Sequence, residues 1–261
     1  MLYIQKENCP ADIQEDIDRL TSGKKWAEFP EVPSSDQAHS IRKSYFDHLR
    51  KWRVREALIA EQNGLCAYCM CRVENSGNST TIEHFVPLSK SKSGALNYQN
   101  WLAVCKGGQN IKLPKGKKRV ICCDAKKSNT ITRLTPLDRR QMENIAYYDD
   151  GTIYYSDTTD RDYARFCNEL DSIYGLNGKV DPRTHRSQKD TTSGIVKQRK
   201  DAYIAMFDEL MRMESEGELT TDLIIRFRES LLADTPWEPF IGVKLYVLDM
   251  FLNTLNQTET E

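Results

Sequence analysis

No run of apolar residues in this 261-residue chain approaches the roughly 18–20 that a membrane-spanning helix needs. The first residues, MLYIQKENCPADIQ, lack the basic and then apolar regions of a secretory signal. A cytoplasmic location is therefore expected, and with it a reducing environment in which disulfides are rare. Charge of one sign is missing too: 37 Lys and Arg face 38 Asp and Glu, so no global basic field marks a nucleic-acid binder. Histidine is scarce, with four in the chain. No internal repeat is evident, which argues against a solenoid.

What is present is local. The stretches KLPKGKKRV (112–120) and AKKSN (125–129) are strongly basic, and IRKSYFDHLRKWRVR (41–55) interleaves cations with aromatics. Such patches can hold phosphates on a protein that is neutral overall. Acidic residues gather at 149–162 and at the C-terminal end. Eight cysteines are too many for an ordinary reduced protein to carry without use, and six of them fall between Leu65 and Asn129. In this compartment they point to metal ligands or free thiols.

Three regions follow from the texture. Residues 1–61 are expected to be helical: one helix over 10–20 with Ile13, Ile17 and Leu20 in phase, a linker over 23–40, and a helix from Ser40 to Gln62 ending at Asn63-Gly64. Residues 62–131 carry short β-prone pieces (TIEHF, WLAVC, RVIC) and too few apolar residues to stand without a metal staple. Residues 132–261 return to helices over 162–175, 191–213, 220–233 and 239–255, after a β-hairpin at 146–156 turning on Asp-Asp-Gly. The helical flanks carry no evident chemistry and read as core and partner surface.

The chemistry sits in the middle. Cys66-Ala-Tyr-Cys69 has the spacing of half a tetrahedral zinc site. Cys105 and the Cys122-Cys123 pair offer the other half, with Cys71 as a rival ligand. Between the two halves stands Thr-Ile-Glu-His-Phe. Glu83 can hold a hard divalent cation, and a neutral His84 can take a proton from water. Neighbours on a regular strand face opposite ways, so the pair must lie where the strand ends, and Pro87 favours such an end. Asp124 is the candidate second carboxylate, followed by Lys126 and Lys127.

In order, C-A-Y-C, E-H-F-V-P-L-S, Y-Q-N-W-L-A-V-C and C-D-A-K-K-S-N resemble the signature of HNH endonucleases of the ββα-metal fold. With LYIQK at the start, they look more narrowly like the PtuB-type nucleases that work with PtuA ATPases in Septu and some retron anti-phage systems. The resemblance spans about 62–130 and implies an α+β fold: a small zinc-stabilised ββα-metal module flanked by N-terminal and C-terminal helical regions. It implies that His84 is the general base, with Asn100 counted beside it as the central Asn that organises the loop between the strands. Glu83, where the family more often has Asp, and Asp124, where His or Asn is common, would hold Mg²⁺ or Mn²⁺. Cys66, Cys69, Cys105 and Cys123 would hold a structural Zn²⁺. Lys117, Lys118, Arg119, Lys126 and Lys127 would grip nucleic acid, DNA or an RNA such as tRNA. The implied partner is a PtuA-like ATPase, with a retron complex as one setting for it. The competing reading is a zinc-stabilised nucleic-acid-binding or adaptor protein with a degenerate catalytic set.

Overall fold

The computed structural model of the protein describes residues 1–110, 120–181, 183–189 and 194–258. The expected phosphate-binding residues Lys117, Lys118 and Arg119 lie outside the described residues.

Helix α1 (Ala11–Thr21) starts at Pro10 and buries Ile13 and Ile17, as its apolar phase requires. A short α2 (Lys24–Ala27) and α3 (Ser35–Ser44) occupy the stretch read as linker. The N-terminus of α3 is fixed by a capping box in which Ser34 and Gln37 satisfy each other's backbone donors.

The helix expected over Ser40–Gln62 is not continuous. It breaks after Ser44 into a 3-10 turn, Phe46–His48, and resumes as α4 (Lys51–Glu61). Leu49 is extended between them. The break lets both Phe46 and Leu49 turn into the core, and it shifts the helical phase. Val54 and Leu58 are then buried, while Trp52 is 54% exposed.

Strands β1 (Thr80–His84) and β2 (Trp101–Cys105) form an antiparallel pair in the register Ile82 to Ala103 and His84 to Trp101. Trp101, Leu102, Ala103 and Val104 are all fully buried, because α4 and the turns of the cysteine segment cover the ribbon. Gln62, at the end of α4, is itself buried. Its side-chain amide donates to the Ala103 carbonyl at 2.7 Å and accepts from the Ala103 N–H at 2.8 Å. The β-prone Val120–Cys123 forms no strand; its chain instead bends into α5 (Asp124–Lys127).

Beyond it lie α6 (Arg139–Glu143), the hairpin β3 (Ile145–Tyr147) and β4 (Ile153–Tyr155), and α7 (Tyr163–Asn168), which widens into a π-helical turn over Glu169–Ile173. A second small hairpin, β5 (Lys179–Val180) with β6 (Ser187–Lys189), precedes the long helices α8 (Ile195–Ser215), α9 (Thr221–Ala233) and α10 (Ile241–Thr258). The apolar core runs without interruption from Met1 through the cysteine segment to Leu248. The chain before α10 also grips the first cysteine turn directly. The Trp237 N–H donates to Asn63 O at 2.9 Å and the Phe240 N–H to Met70 O at 3.1 Å, while Arg72 donates to Trp237 O at 2.6 Å. Among the described residues, no helix is long and apolar enough to cross a membrane.

Candidate active site

The Sγ atoms of Cys66, Cys69, Cys105 and Cys123 all lie within 4.8 Å of one another. Cys69 to Cys105 and Cys105 to Cys123 are each 3.7 Å. A zinc ion with four sulfurs at about 2.3 Å has tetrahedral edges of about 3.8 Å, so the cluster fits such an ion and is too open for disulfides. All eight cysteines are free thiols. Backbone donors already face the sulfurs: the Cys105 N–H points at Cys66 Sγ (3.3 Å) and the Gly107 N–H at Cys105 Sγ (3.4 Å). Burial and Cys105 push the Cys66 thiol up, but hydrogen bonds from Cys123, Cys69 and Cys71 outweigh them and hold it down at about 5. Cys122 and Cys123 likewise hold Cys105 below the usual thiol range. Cys71, 3.3 Å from Cys69, and Cys122, 3.7 Å from Cys123, stand beside the four as two further thiols.

Local backbone geometry makes this cluster possible. Met70 takes φ +64° directly after Cys69, and Gly107 takes φ +53° two residues after Cys105. A Cβ at Gly107 would meet the Cys122 carbonyl at 2.0 Å, so only glycine lets the two halves close. Cys123 is itself at φ +55°, a conformation costing on the order of 1–3 kcal/mol. That turn sends its sulfur to the cluster and carries Asp124, the next residue, toward β1.

Glu83 and Asp124 meet there. Glu83 is 5% exposed, and its Oε1 accepts from Lys127 Nζ at 2.8 Å and from the Tyr68 hydroxyl at 3.2 Å. Burial, then the hydrogen bond and charge of Asp124, raise the Glu83 carboxyl to about 8, against the opposing pull of Lys127. Two carboxyls held together in a poorly solvated place, with one ammonium for both, make a site that gains from a divalent cation.

His84 faces the other way and ends the strand. Its Nε2 lies 2.9 Å from the Ala95 carbonyl, which can only accept, so Nε2 carries the proton and Nδ1 a lone pair. Nδ1 has no hydrogen-bond partner among the described residues. Phe46 packs edge-on against the imidazole with centroids 4.5 Å apart, and Trp101 lies behind it at 6.2 Å. Burial pulls its pKa down to about 4, so the ring is neutral at pH 7. The charges of Asp124, Lys127 and Arg42 all reach it.

Asn100 touches backbone alone. It accepts from Val86 N at 2.8 Å and donates to Val86 O and Gly94 O at 3.0 and 2.9 Å, binding the two ends of the β1–β2 loop. Lys127 is fully buried and committed to Glu83 and the Phe85 carbonyl. The structure thus places it inside the site, not on the phosphate-facing surface expected from the sequence. The reason is that the acceptors for its ammonium, Glu83 Oε1 and the Phe85 carbonyl, both lie on the buried end of β1. Lys126, beside it, is exposed with its stem across Gly175.

Residues 66–107 match the family model of the HNH endonucleases. The chain therefore carries an HNH endonuclease domain, which points to a nuclease, a phosphodiester hydrolase. Over 53 residues it is also 32% identical to the Septu protein PtuB of Bacillus thuringiensis, a match covering 20% of this chain and 21% of that one. The chain thus aligns with about a fifth of that relative's length. The family match stops at Gly107, so Cys123, Asp124 and Lys127 join the HNH domain through the fold.

Sequence reasoning missed Tyr68, Phe46 and Ala95. Tyr68 had a signal, since a residue between two metal-binding cysteines is held close to whatever the metal segment packs on. Phe46 and Ala95 had none, because one acts through ring packing and the other through a backbone carbonyl.

Proposed function

We propose that this protein is a metal-dependent HNH endonuclease that hydrolyses phosphodiester bonds in DNA or in an RNA such as tRNA. We further propose that it acts as the effector of a Septu-type defence system beside a PtuA-like ATPase. The observation carrying the proposal is the opposed pair at the end of β1: a neutral His84 with a free Nδ1, next to Glu83 drawn together with Asp124.

In this reading His84 Nδ1 takes a proton from the attacking water, while the Ala95 carbonyl keeps the other nitrogen protonated and the ring in place. Asn100 holds the loop that presents that carbonyl. Glu83 and Asp124 would hold Mg²⁺ or Mn²⁺, which supplies charge stabilisation at the scissile phosphate and leaving oxygen. Lys127 compensates part of the carboxylate charge, and the exposed Lys126 would meet a flanking phosphate. Cys66, Cys69, Cys105 and Cys123 would hold the Zn²⁺ that keeps Asp124 in register with Glu83.

One feature favours the adaptor reading: the Lys127 ammonium already contacts Glu83 Oε1 at 2.8 Å. The two readings separate when protein and ATPase are incubated with plasmid DNA or bulk tRNA and Mg²⁺ or Mn²⁺. The nuclease reading expects cleavage that is lost in His84→Ala with zinc content unchanged. Binding without nicking, or undiminished cleavage by His84→Ala, would sink it.

A further inference from the structure

His84 is oriented by the Ala95 carbonyl, so whatever holds Ala95 governs the base. The loop between β1 and β2 is tied on its inner side by Asn100. Its outer side is tied by a strap of the N-terminal region, residues 26–46. The Glu31 carboxylate accepts from Ser91 Oγ at 2.7 Å, from Ser93 Oγ at 2.6 Å and from the Ser93 N–H at 3.1 Å. The Lys92 N–H donates to the Glu31 carbonyl at 2.7 Å, and Lys92 Nζ to the Phe29 carbonyl at 2.7 Å. The strap is braced by Trp26 and Phe29 packing edge-on against Tyr45, one residue before the Phe46 that abuts His84.

The direction of these bonds matters. An ionised carboxylate only accepts, so it makes both serine hydroxyls donate to it. Ser91 Oγ is then left with lone pairs to accept the Gly94 N–H, 3.0 Å away. The Gly94 carbonyl is held by Asn100, and the Ala95 N–H donates to the Lys92 carbonyl at 3.0 Å. The Ala95 carbonyl also accepts from the Trp101 indole Nε1 at 3.3 Å, so the peptide is held on one side by the core and on the other by a chain of bonds that begins at an exposed acid more than fifty residues earlier.

We propose that Glu31 is a positioning residue of the candidate active site, fixing the Ser91–Ser93 turn and through it the Ala95 carbonyl that sets the tautomer of His84. This rests on the nuclease reading only for its consequence in catalysis; the effect on His84 stands apart from it. Displacement of a base by about 1 Å can cost on the order of 100-fold in rate.

The test uses the full-length zinc-loaded protein with ¹⁵N-labelled histidine. In wild type, His84 gives one protonated and one unprotonated ring nitrogen, the pattern of a single Nε2–H tautomer. Glu31→Ala, and Ser93→Ala from the other side of the contact, are expected to draw the two nitrogen shifts together as the second tautomer becomes populated. Zinc content and thermal midpoint stay at wild-type values, because both residues are on the surface. On plasmid DNA with Mg²⁺, Glu31→Ala is expected to lower kcat about 10- to 100-fold with KM within twofold, and Glu31→Asp to recover part of it. A wild-type nitrogen pattern in Glu31→Ala, or a defect confined to KM, would overturn the proposal. Wild-type protein that cuts no nucleic acid would instead refute the nuclease reading, and the nitrogen shifts would still decide the role of Glu31.

Discussion

Replacing Glu83 by Gln should stabilise the protein while removing its capacity for the hard cation. The carboxyl is carried from 4.5 to about 8 on folding, by burial first and then by Asp124. Between those two values the unfolded chain has released the proton and the folded chain has kept it. Stability therefore falls as pH rises from about 4.5, and the loss is complete above about 8. At about 1.4 kcal/mol per unit the full penalty is about 5 kcal/mol, of which about 3 kcal/mol is already present at pH 7. A glutamine mimics the protonated acid: its oxygen can accept from Lys127 and Tyr68, its amide can donate to Asp124, and none of this titrates. Urea unfolding of zinc-loaded protein without Mg²⁺ should therefore show Glu83→Gln ahead by about 3 kcal/mol at pH 7 and by almost nothing at pH 4.5. Adding Mg²⁺ or Mn²⁺ should then stabilise wild type and leave the variant unchanged. A difference between the two proteins that is flat with pH would refute the reasoning, since it would mean that Glu83 keeps its ordinary affinity for protons inside the fold.

Other consequences are simpler to read. Lys127→Met should cost about 1–3 kcal/mol in chemical denaturation at pH 7, the loss of a charge-assisted hydrogen bond and less than that of a buried ion pair, because Glu83 already holds its proton there. Cys123→Ser should lower zinc content by metal analysis and destabilise the fold, whereas Cys122→Ser should keep one zinc per chain, since its sulfur lies outside the group of four. Gly107→Ala should fold poorly or lose zinc, because the added methyl would sit 2.0 Å from the Cys122 carbonyl.

Much of the site was legible because its signals are short-range. Cys66 and Cys69 lie three residues apart on one turn, Glu83 and His84 are neighbours at a strand end, and Asp124 follows a cysteine directly. The β3–β4 hairpin was legible for the same reason, since Asp149-Asp150-Gly151 specifies its own turn. The continuous helix over 40–62 was not, because nothing local forbids it. Its break at 45–50 exists so that Phe46 can reach His84, a residue 38 positions away in the chain. Lys127 reads as one more cation in a basic run, and only the depth of Glu83 explains why it is drawn inside. The role of Ala95 lies in its carbonyl, which every residue possesses, so no pattern of side chains could announce it.

The Gln62 side chain at the Ala103 peptide has a meaning beyond holding a helix to a strand. A two-stranded ribbon leaves its outer margins with unmatched backbone groups, which in other proteins recruit a strand from a neighbouring molecule. At Ala103 the carboxamide supplies the same donor and acceptor that a third strand would, and the Ala67 N–H adds a second bond to the carbonyl at 3.1 Å. The ribbon is thus terminated at its midpoint by Gln62 together with the Ala67 N–H. A Gln62→Leu chain would leave the Ala103 N–H buried beneath α4 with no acceptor, and a loss of about 1–3 kcal/mol in urea unfolding would be the expected sign of it.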